Sequence, residues 1–285
     1  MLRFLVHLRR AVMQAIVHDA LTLAKASAYS SILSLFPALL VVVSVLALTP
    51  ATASFRGTLH TAFDQLLPPS AAPLLQNYFS TPLLRRHSAQ LLFSAFFVSF
   101  LGAVGIMVSL MEGFRRAYGV PRNYWSFWRK RIVSFSLVPF SIVPMMFASL
   151  LVVFGHVIES WMVAHSDHRL MGIVLFGWML ARWSIAMLCS VAVIGLIYHF
   201  GTPRTHSWRY ALPGAAMATL MWFLSTLVFG WYVTRHANYT RFYGSLGAGI
   251  ALLVWLYIIS LSILIGAEFN AQLFPKKEIR AKDAE

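Results

Sequence analysis

Glu268 is the residue in this chain whose setting most invites chemistry. It stands in Tyr243–Gln272, a stretch that opens on the small residues of GSLGAG, runs on unbroken and apolar, and closes on Gly266-Ala267-Glu268-Phe269-Asn270. A carboxylate held in hydrocarbon without a partner costs several kcal/mol, so such an acid is by default a candidate proton- or substrate-linked site. Two structural readings compete with that one: half of an ion pair, or a carboxylate that snorkels to the headgroup layer. Helical residues advance about 1.5 Å each, so the stretch spans roughly 45 Å and carries Glu268 to one membrane face. Lys25, Arg115, Arg116 and Arg204 supply basic partners on that side, which makes the structural pair the leading reading.

A second set of polar groups lies in Ala28-Tyr29-Ser30-Ser31-Ile32-Leu33-Ser34-Leu35-Phe36-Pro37. Pro37 has no amide hydrogen, so the carbonyl of Leu33 loses its helical partner and a kink is expected. Ser27, Ser30, Ser34 and Tyr29 bring hydroxyls near the break. There they either bind neighbouring helices and free backbone groups, which is the leading reading, or line a polar path. Pro139, Pro144 and Pro213 are expected to kink two further helices.

A third set interleaves cations with aromatics: Arg115, Arg116, Arg122, Arg129, Lys130 and Arg131 among Tyr118, Tyr124, Trp125, Phe127 and Trp128. Basic heads on aromatic bodies suit the headgroup layer, and each cation near the surface attracts anionic lipid by about 1 kcal/mol. The same residue types can stack on single-stranded RNA, but membrane proximity favours lipid. Metal chemistry has weaker support. His165, Asp167 and His168 lie in one loop with only His156 and Glu159 near enough to complete a ligand set, so no metal site and no cofactor is expected. The chain contains no GxSxG elbow, P-loop or HExxH motif.

These groups need a membrane to position them. The 285 residues are 59% hydrophobic and 11% charged, too little polar surface to cover a soluble globule of that length. Apolar runs of spanning length fall at Ala28–Leu48, Leu91–Met111, Ile132–Gly155, Trp183–Phe200, Tyr210–Val233 and Leu246–Leu273, giving six transmembrane helices. Apolar character also fills Leu170–Ala181; with Arg182 placed at the outer interface, this piece is expected to be interfacial or re-entrant. Ahead of the first span, Leu5, Leu8, Val12, Ala15, Ile16 and Leu23 form one helical face with Arg9, Arg10, Gln14, His18 and Lys25 off it, as in a helix lying in the inner interface. Small residues at Gly244, Gly247, Ala248 and Ala251 form a stripe for close helix packing, and Pro213-Gly214-Ala215-Ala216 with Ala218 offers another.

The formal charge of +14 is largely a topology signal. Lys and Arg divide sixteen to seven between alternate sides, which puts both termini inside and leaves no need for a nucleic-acid partner. A loop of roughly 40 residues between the first two spans, with an amphipathic stretch at Phe55–Leu67 and breakers at Pro68, Pro69 and Pro73, lies outside. Cys189 sits alone in an apolar run, so no disulfide framework or thiolate cluster is expected.

AYSSILSLFPALLVVVSVLA, GFRRAYGV and YGSLGAGIALLVWLYIISLSILIGAEFNAQL together resemble the YihY/BrkB family of bacterial inner-membrane proteins, older names for which include ribonuclease BN-like. The resemblance runs from about residue 20 to 273 and points to Tyr29, Ser34, Pro37, Tyr243, Gly244, Trp255, Tyr257, Gly266, Glu268 and Asn270. The family often shows an asparagine near Gly113, which this chain lacks. The resemblance implies a role in envelope integrity, serum resistance or lipid movement and no established enzymology. A nuclease would need clustered carboxylates or histidines, whereas the chain has nine acids in all, with Glu112 alone in the inner loops between helices.

The expected protein is all-α and polytopic, with six transmembrane helices, several of them proline-kinked, and an N-terminal interfacial amphipathic helix. Residues 1–25 form the interfacial segment, 26–274 the membrane domain and 275–285 a charged cytoplasmic tail. The leading function is transporter-like lipid translocation or homeostasis in the bacterial inner membrane. The alternatives are an envelope scaffold contributing to serum resistance and, disfavoured, a membrane-bound ribonuclease. Candidate polar residues within the membrane are Tyr29, Ser30, Ser34, Pro37, Tyr257, Glu268 and Asn270. The candidate anionic-lipid rim is Arg115, Arg116, Arg122, Trp125, Trp128, Arg129, Lys130 and Arg131. Partners are membrane lipids, with a homo-oligomer or an envelope protein as further options.

Overall fold

The structure, a computed structural model, describes residues 2–48, 83–165, 171–202, 208–235 and 246–274. Among them seven helices follow one another: α1 Leu2–Val17, α2 Ala20–Leu48, α3 Leu83–Ala117, α4 Phe127–His165, α5 Met171–Gly201, α6 Trp208–Arg235 and α7 Leu246–Leu273. There are no strands among the described residues. The loop holding Phe55–Leu67 and its prolines, the side chains of His156, Glu159, His165, Asp167 and His168, and Arg204, Tyr243, Gly244 and the tail lie outside what is described.

The six helices after α1 are each long and apolar enough to cross a membrane, over Ala20–Val41, Leu92–Ala117, Phe127–Leu150, Val174–Gly201, Trp208–Tyr232 and Gly249–Leu273. Pro37, Pro139, Pro144 and Pro213 all lie inside these helices, in α2, α4 and α6, where each removes one amide donor from the ladder. α5 departs from expectation. Leu170–Ala181 was expected as a separate interfacial or re-entrant piece, but Met171–Gly201 is one continuous helix of 31 residues with Arg182 inside it. A long arginine stem lets its guanidinium reach polar surroundings from an apolar helix, so the charge need not end the span.

Side-chain distribution is inverted relative to a soluble protein. Large apolar residues face outward on α3 (Phe93, Phe97), α4 (Phe140, Val143), α5 (Phe176, Leu188) and α6 (Val228, Trp231). Small residues and hydroxyls fill much of the interior: Ala11, Ala15, Ala24, Ala215, Ala218, Ser27, Ser134 and Thr219 are all buried. Lipid as solvent accounts for this, because lipid supplies no hydrophobic drive between helices and close backbone approach governs packing. Several buried hydroxyls bond within their own helices, as Ser134 donates to the Lys130 carbonyl at 2.8 Å and Thr219 to that of Ala215 at 2.9 Å.

Two caps place the polar residues described below. Asp19, at φ 62°, ends α1 in the left-handed region, and its carbonyl accepts from Leu23 to begin α2. Gly119, at φ 59°, closes α3 in a Schellman motif: its amide donates to the Arg116 carbonyl, and that of Val120 to Arg115, each at 3.0 Å. The buried Val120 gives this cap its apolar contact.

The chain divides into two compact units, one of Met1–Ala24, Met107–Leu224 and Leu261–Glu285, the other of Lys25–Ile106 and Ser225–Ser260.

Candidate functional site

In the first unit, Glu268 is buried on α7 and meets His18, whose Nδ1 stands 2.7 Å from its Oε1. Only 4% of the Glu268 side chain is exposed, against 33% for His18, so the carboxylate is reached through the imidazole. Of the basic residues proposed as partners from sequence, the three that are described, Lys25, Arg115 and Arg116, do not serve, and Arg204 lies outside the described residues. Lys25 is exposed, while Arg115 and Arg116 are engaged by another acid. Residue 18 was passed over because it is 250 positions from Glu268 and read as one polar residue off an amphipathic face. A sequence signal was present: His18-Asp19 interrupts two apolar helical patterns, and an Asp in such a break readily adopts the left-handed cap.

The turn is clamped from α3. Arg116 Nη1 donates to the His18 carbonyl at 3.3 Å and to Asp19 Oδ2 at 3.1 Å, and its Nε stands 3.5 Å from Glu112 Oε1. Glu112 also receives Arg115 Nη2 at 2.7 Å and Lys130 Nζ at 3.1 Å, so three cations surround one carboxylate and join α3 to α4. Arg115 is further fixed by Nη1, which donates to the Val120 carbonyl at 2.6 Å. Tyr118, just past α3, is half-buried beside this network; desolvation, and behind it the charge of Glu268, raises its phenol well above the ordinary tyrosine value.

Asn270, fully buried one turn-fraction beyond Glu268, bridges α7 to α6. Its Oδ1 accepts the Gly214 amide at 2.7 Å, and its Nδ2 donates to the Ala211 carbonyl at 3.0 Å. These groups flank Pro213, whose missing amide weakens the first turn of α6. Close approach makes the bridge reachable, because a Cβ on Gly214 would collide with the Gly266 carbonyl and the Asn270 amide. A Cβ on Gly266 would lie 2.6 Å from the Gly214 carbonyl and 2.7 Å from Ala218 Cβ. Tyr198, on α5, donates to the Ile263 carbonyl at 2.5 Å and packs edge-on against Phe114. Gly113 sits against Leu264, whose Cδ2 a Cβ there would strike, so in this chain leucine fills the space that a larger residue at position 113 would need.

The cation–aromatic segment splits in two. Arg115, Arg116 and Lys130 turn onto Glu112, whereas Arg122, Arg129 and Arg131 are exposed with Tyr124, Phe127 and Trp128. Trp128 is 72% exposed and Phe127 67%, and the Arg131 guanidinium lies 5.5 Å from the Phe127 ring centre. Trp125 is half-buried between the two sets.

In the second unit, Ser260 Oγ on α7 donates to Ser27 Oγ on α2 at 3.0 Å. Ser34 is buried where a Cβ on Gly102 would come within 2.7 Å of its own, and Ser30 Oγ would stand 3.1 Å from a Cβ on Gly105. Both serines thus occupy glycine notches of α3. Tyr29 faces outward, Pro37 and Tyr257 are half-buried, and Trp255 donates to Thr226 Oγ1 at 3.2 Å. Of the small stripe in α7, Gly247 is buried and Ala251 half-buried.

Six helices long and apolar enough to span a membrane, with large apolar side chains exposed among the described residues, define a polytopic α-helical membrane protein. Residues 12–285 match the family model described as virulence factor BrkB, and the chain belongs to that family. It is 30% identical over 267 residues to the ribonuclease-like protein YfkH of Bacillus subtilis, covering 92% of this chain and 93% of that one. It is 28% identical to a UPF0761 membrane protein of Tolumonas auensis, over 90% of this chain and 82% of the relative. A UPF0761 membrane protein of Xanthomonas axonopodis pv. citri is 27% identical over 90% of this chain, which spans 58% of that longer relative. No solved structure matches the chain.

Proposed function

We propose that this protein is a non-enzymatic, transporter-like protein of the bacterial inner membrane that moves or redistributes anionic lipid. The observation that carries the reading is the exposed patch at the start of α4, where Arg122, Arg129 and Arg131 stand beside Tyr124, Phe127 and Trp128 with no carboxylate neutralising them among the described contacts. Anionic headgroups would be held by the guanidinium groups while the rings sit at the acyl boundary. The three cations paired with Glu112 build the turn that presents the patch.

The name carried by the Bacillus relative raises a nuclease as the other class. Glu112 does not favour it: its two oxygens are taken by Arg115, Arg116 and Lys130, which disposes them poorly to a catalytic cation. The sixteen-to-seven division of Lys and Arg supports termini on the cytoplasmic side. A periplasm-active reporter fused near Ser70 should be active and one fused near Arg122 silent, and the reverse pattern would overturn this orientation.

The deciding experiment reconstitutes the purified protein in vesicles containing fluorescent anionic phospholipid. Leaflet exchange faster than in empty vesicles, and slowed by Arg129→Gln with Arg131→Gln, supports the proposal; exchange equal to that of empty vesicles counts against it. Stable capture of an envelope protein without lipid movement would favour a scaffold instead.

A further inference from the structure

We infer that His18 and Glu268 form a proton-operated latch that fastens α1 to the protein when His18 is charged and loosens it when His18 is neutral. Among the described side chains of α1, Ala11 and Ala15 are buried and His7 and Leu8 half-buried, while Val12, Met13, Ile16, Val17, Arg9 and Arg10 face outward. This described seat buries little apolar area, so the polar junction at the end of the helix contributes to its attachment. That junction is the two-residue turn His18-Asp19 between α1 and α2, with Asp19 in the left-handed region.

The groups around the junction come from three elements. α7 contributes Glu268, at 2.7 Å from His18 Nδ1. α3 contributes Arg116, which holds the His18 carbonyl and the Asp19 carboxylate and is itself held by Glu112, with Arg115 and Lys130 on that acid's other side. The segment after α3 contributes the half-buried Tyr118, which feels the charge of Glu268. Asp19 lies on the turn itself, and Lys25, on α2, is exposed. Arginine stays charged at every physiological pH, so the Arg116 clamp is constant. Imidazole is a side-chain type whose charge can be switched within the physiological pH range, and here it faces the carboxylate of Glu268 directly.

The direction follows from burial. With α1 seated, the nearly inaccessible Glu268 carboxylate has the imidazole as its direct hydrogen-bond partner, and a cationic donor holds it by a charge-assisted bond. Loss of the proton ends the attraction of opposite charges and leaves a single hydrogen bond from a neutral ring to the buried carboxylate, which favours exchanging the protein contact for water. Acid therefore seats α1 and alkali frees it. The apolar and basic outer face of α1 stays available to a membrane surface in either state, with the Asp19 turn as the pivot.

Thiol accessibility tests this. In a Cys189→Ser background, Ala11→Cys places a thiol in the buried seat and Gln14→Cys an exposed reference thiol on the same helix. The labelling rate of position 11 relative to position 14 should rise about five- to tenfold between about pH 5.5 and about pH 8. His18→Gln should abolish the rise and leave labelling fast. His18→Lys, a permanent cation, should abolish it and leave labelling slow. A flat ratio in the parent, or a rise that survives His18→Gln, overturns the latch. The readout needs no lipid transport, so it stands or falls separately from the proposed function.

Discussion

Asn270 Oδ1 accepts the amide hydrogen of Gly214 at 2.7 Å, and the same side chain returns a hydrogen bond from Nδ2 to Ala211. One amide thus serves both backbone polarities on either side of a proline, in a place where no water is available to do so. Asn270→Ala should lower stability by about 2 kcal/mol, since it orphans a buried donor and acceptor. Asn270→Asp, which keeps only the acceptor, should fall between. Thermal unfolding of the detergent-purified variants checks the order.

The backbone approach that brings α6 to α7 has a sharper signature. Gly214→Ala and Gly266→Ala each drive a methyl into a neighbouring carbonyl and should cost about 1–3 kcal/mol or more, the overpacking range. Gly249, on the same α7, has nothing within 4 Å of a would-be Cβ. Gly249→Ala should be neutral or stabilise by up to about 1 kcal/mol through helix propensity. Equal losses at positions 249 and 266 would refute the close contact.

The partner of Glu268 can be read from stability alone. His18→Ala leaves a buried carboxylate unpaired and should cost about 2–4 kcal/mol, whereas Lys25→Ala, at an exposed cation, should stay within about 0.5 kcal/mol. A double variant, His18→Ala with Glu268→Gln, should recover part of the loss by removing the orphaned charge. Denaturation midpoints of the parent, His18→Ala, Glu268→Gln and the double variant close the cycle.

The cation–aromatic segment should separate by function. Glu112→Gln strips the counter-charge from Arg115, Arg116 and Lys130 and should destabilise by about 2 kcal/mol. Neutralising Arg122, Arg129 and Arg131 together should leave the unfolding temperature within about 1 °C while weakening attraction to anionic vesicles by about 1 kcal/mol per charge. Vesicle co-sedimentation at two salt concentrations checks it, because an attraction of this kind is screened by salt.

Much of the fold was legible because its signals are additive along the chain. Runs of apolar residues long enough to span a bilayer need no knowledge of their neighbours, and neither does the amphipathic pattern ahead of Ala20. α5 was the exception. Arg182 was read as an interface marker, yet a helix can carry an arginine whose stem lets its charge reach a polar place. Side-chain pairing was less legible. Glu268 was recognisable as an acid in need of a partner, and the nearest arginines were reasonable candidates by side and charge. They are consumed by Glu112, a competition between two acids that no sequence distance reveals.

The sequence by itself determined that this is a six-span helical membrane protein of the BrkB family, since length, hydropathy and the motifs at Ala28–Pro37 and Gly266–Asn270 are properties of single segments. Tertiary structure alone decided that Glu268 meets His18, that Asn270 bridges α7 to the backbone around Pro213, and that the basic segment divides into a half-buried clamp and an exposed patch. The physical reason is range. Partition into lipid acts on each segment independently, whereas a hydrogen bond of about 3 Å exists only once packing has chosen which of several chemically equivalent partners comes within reach.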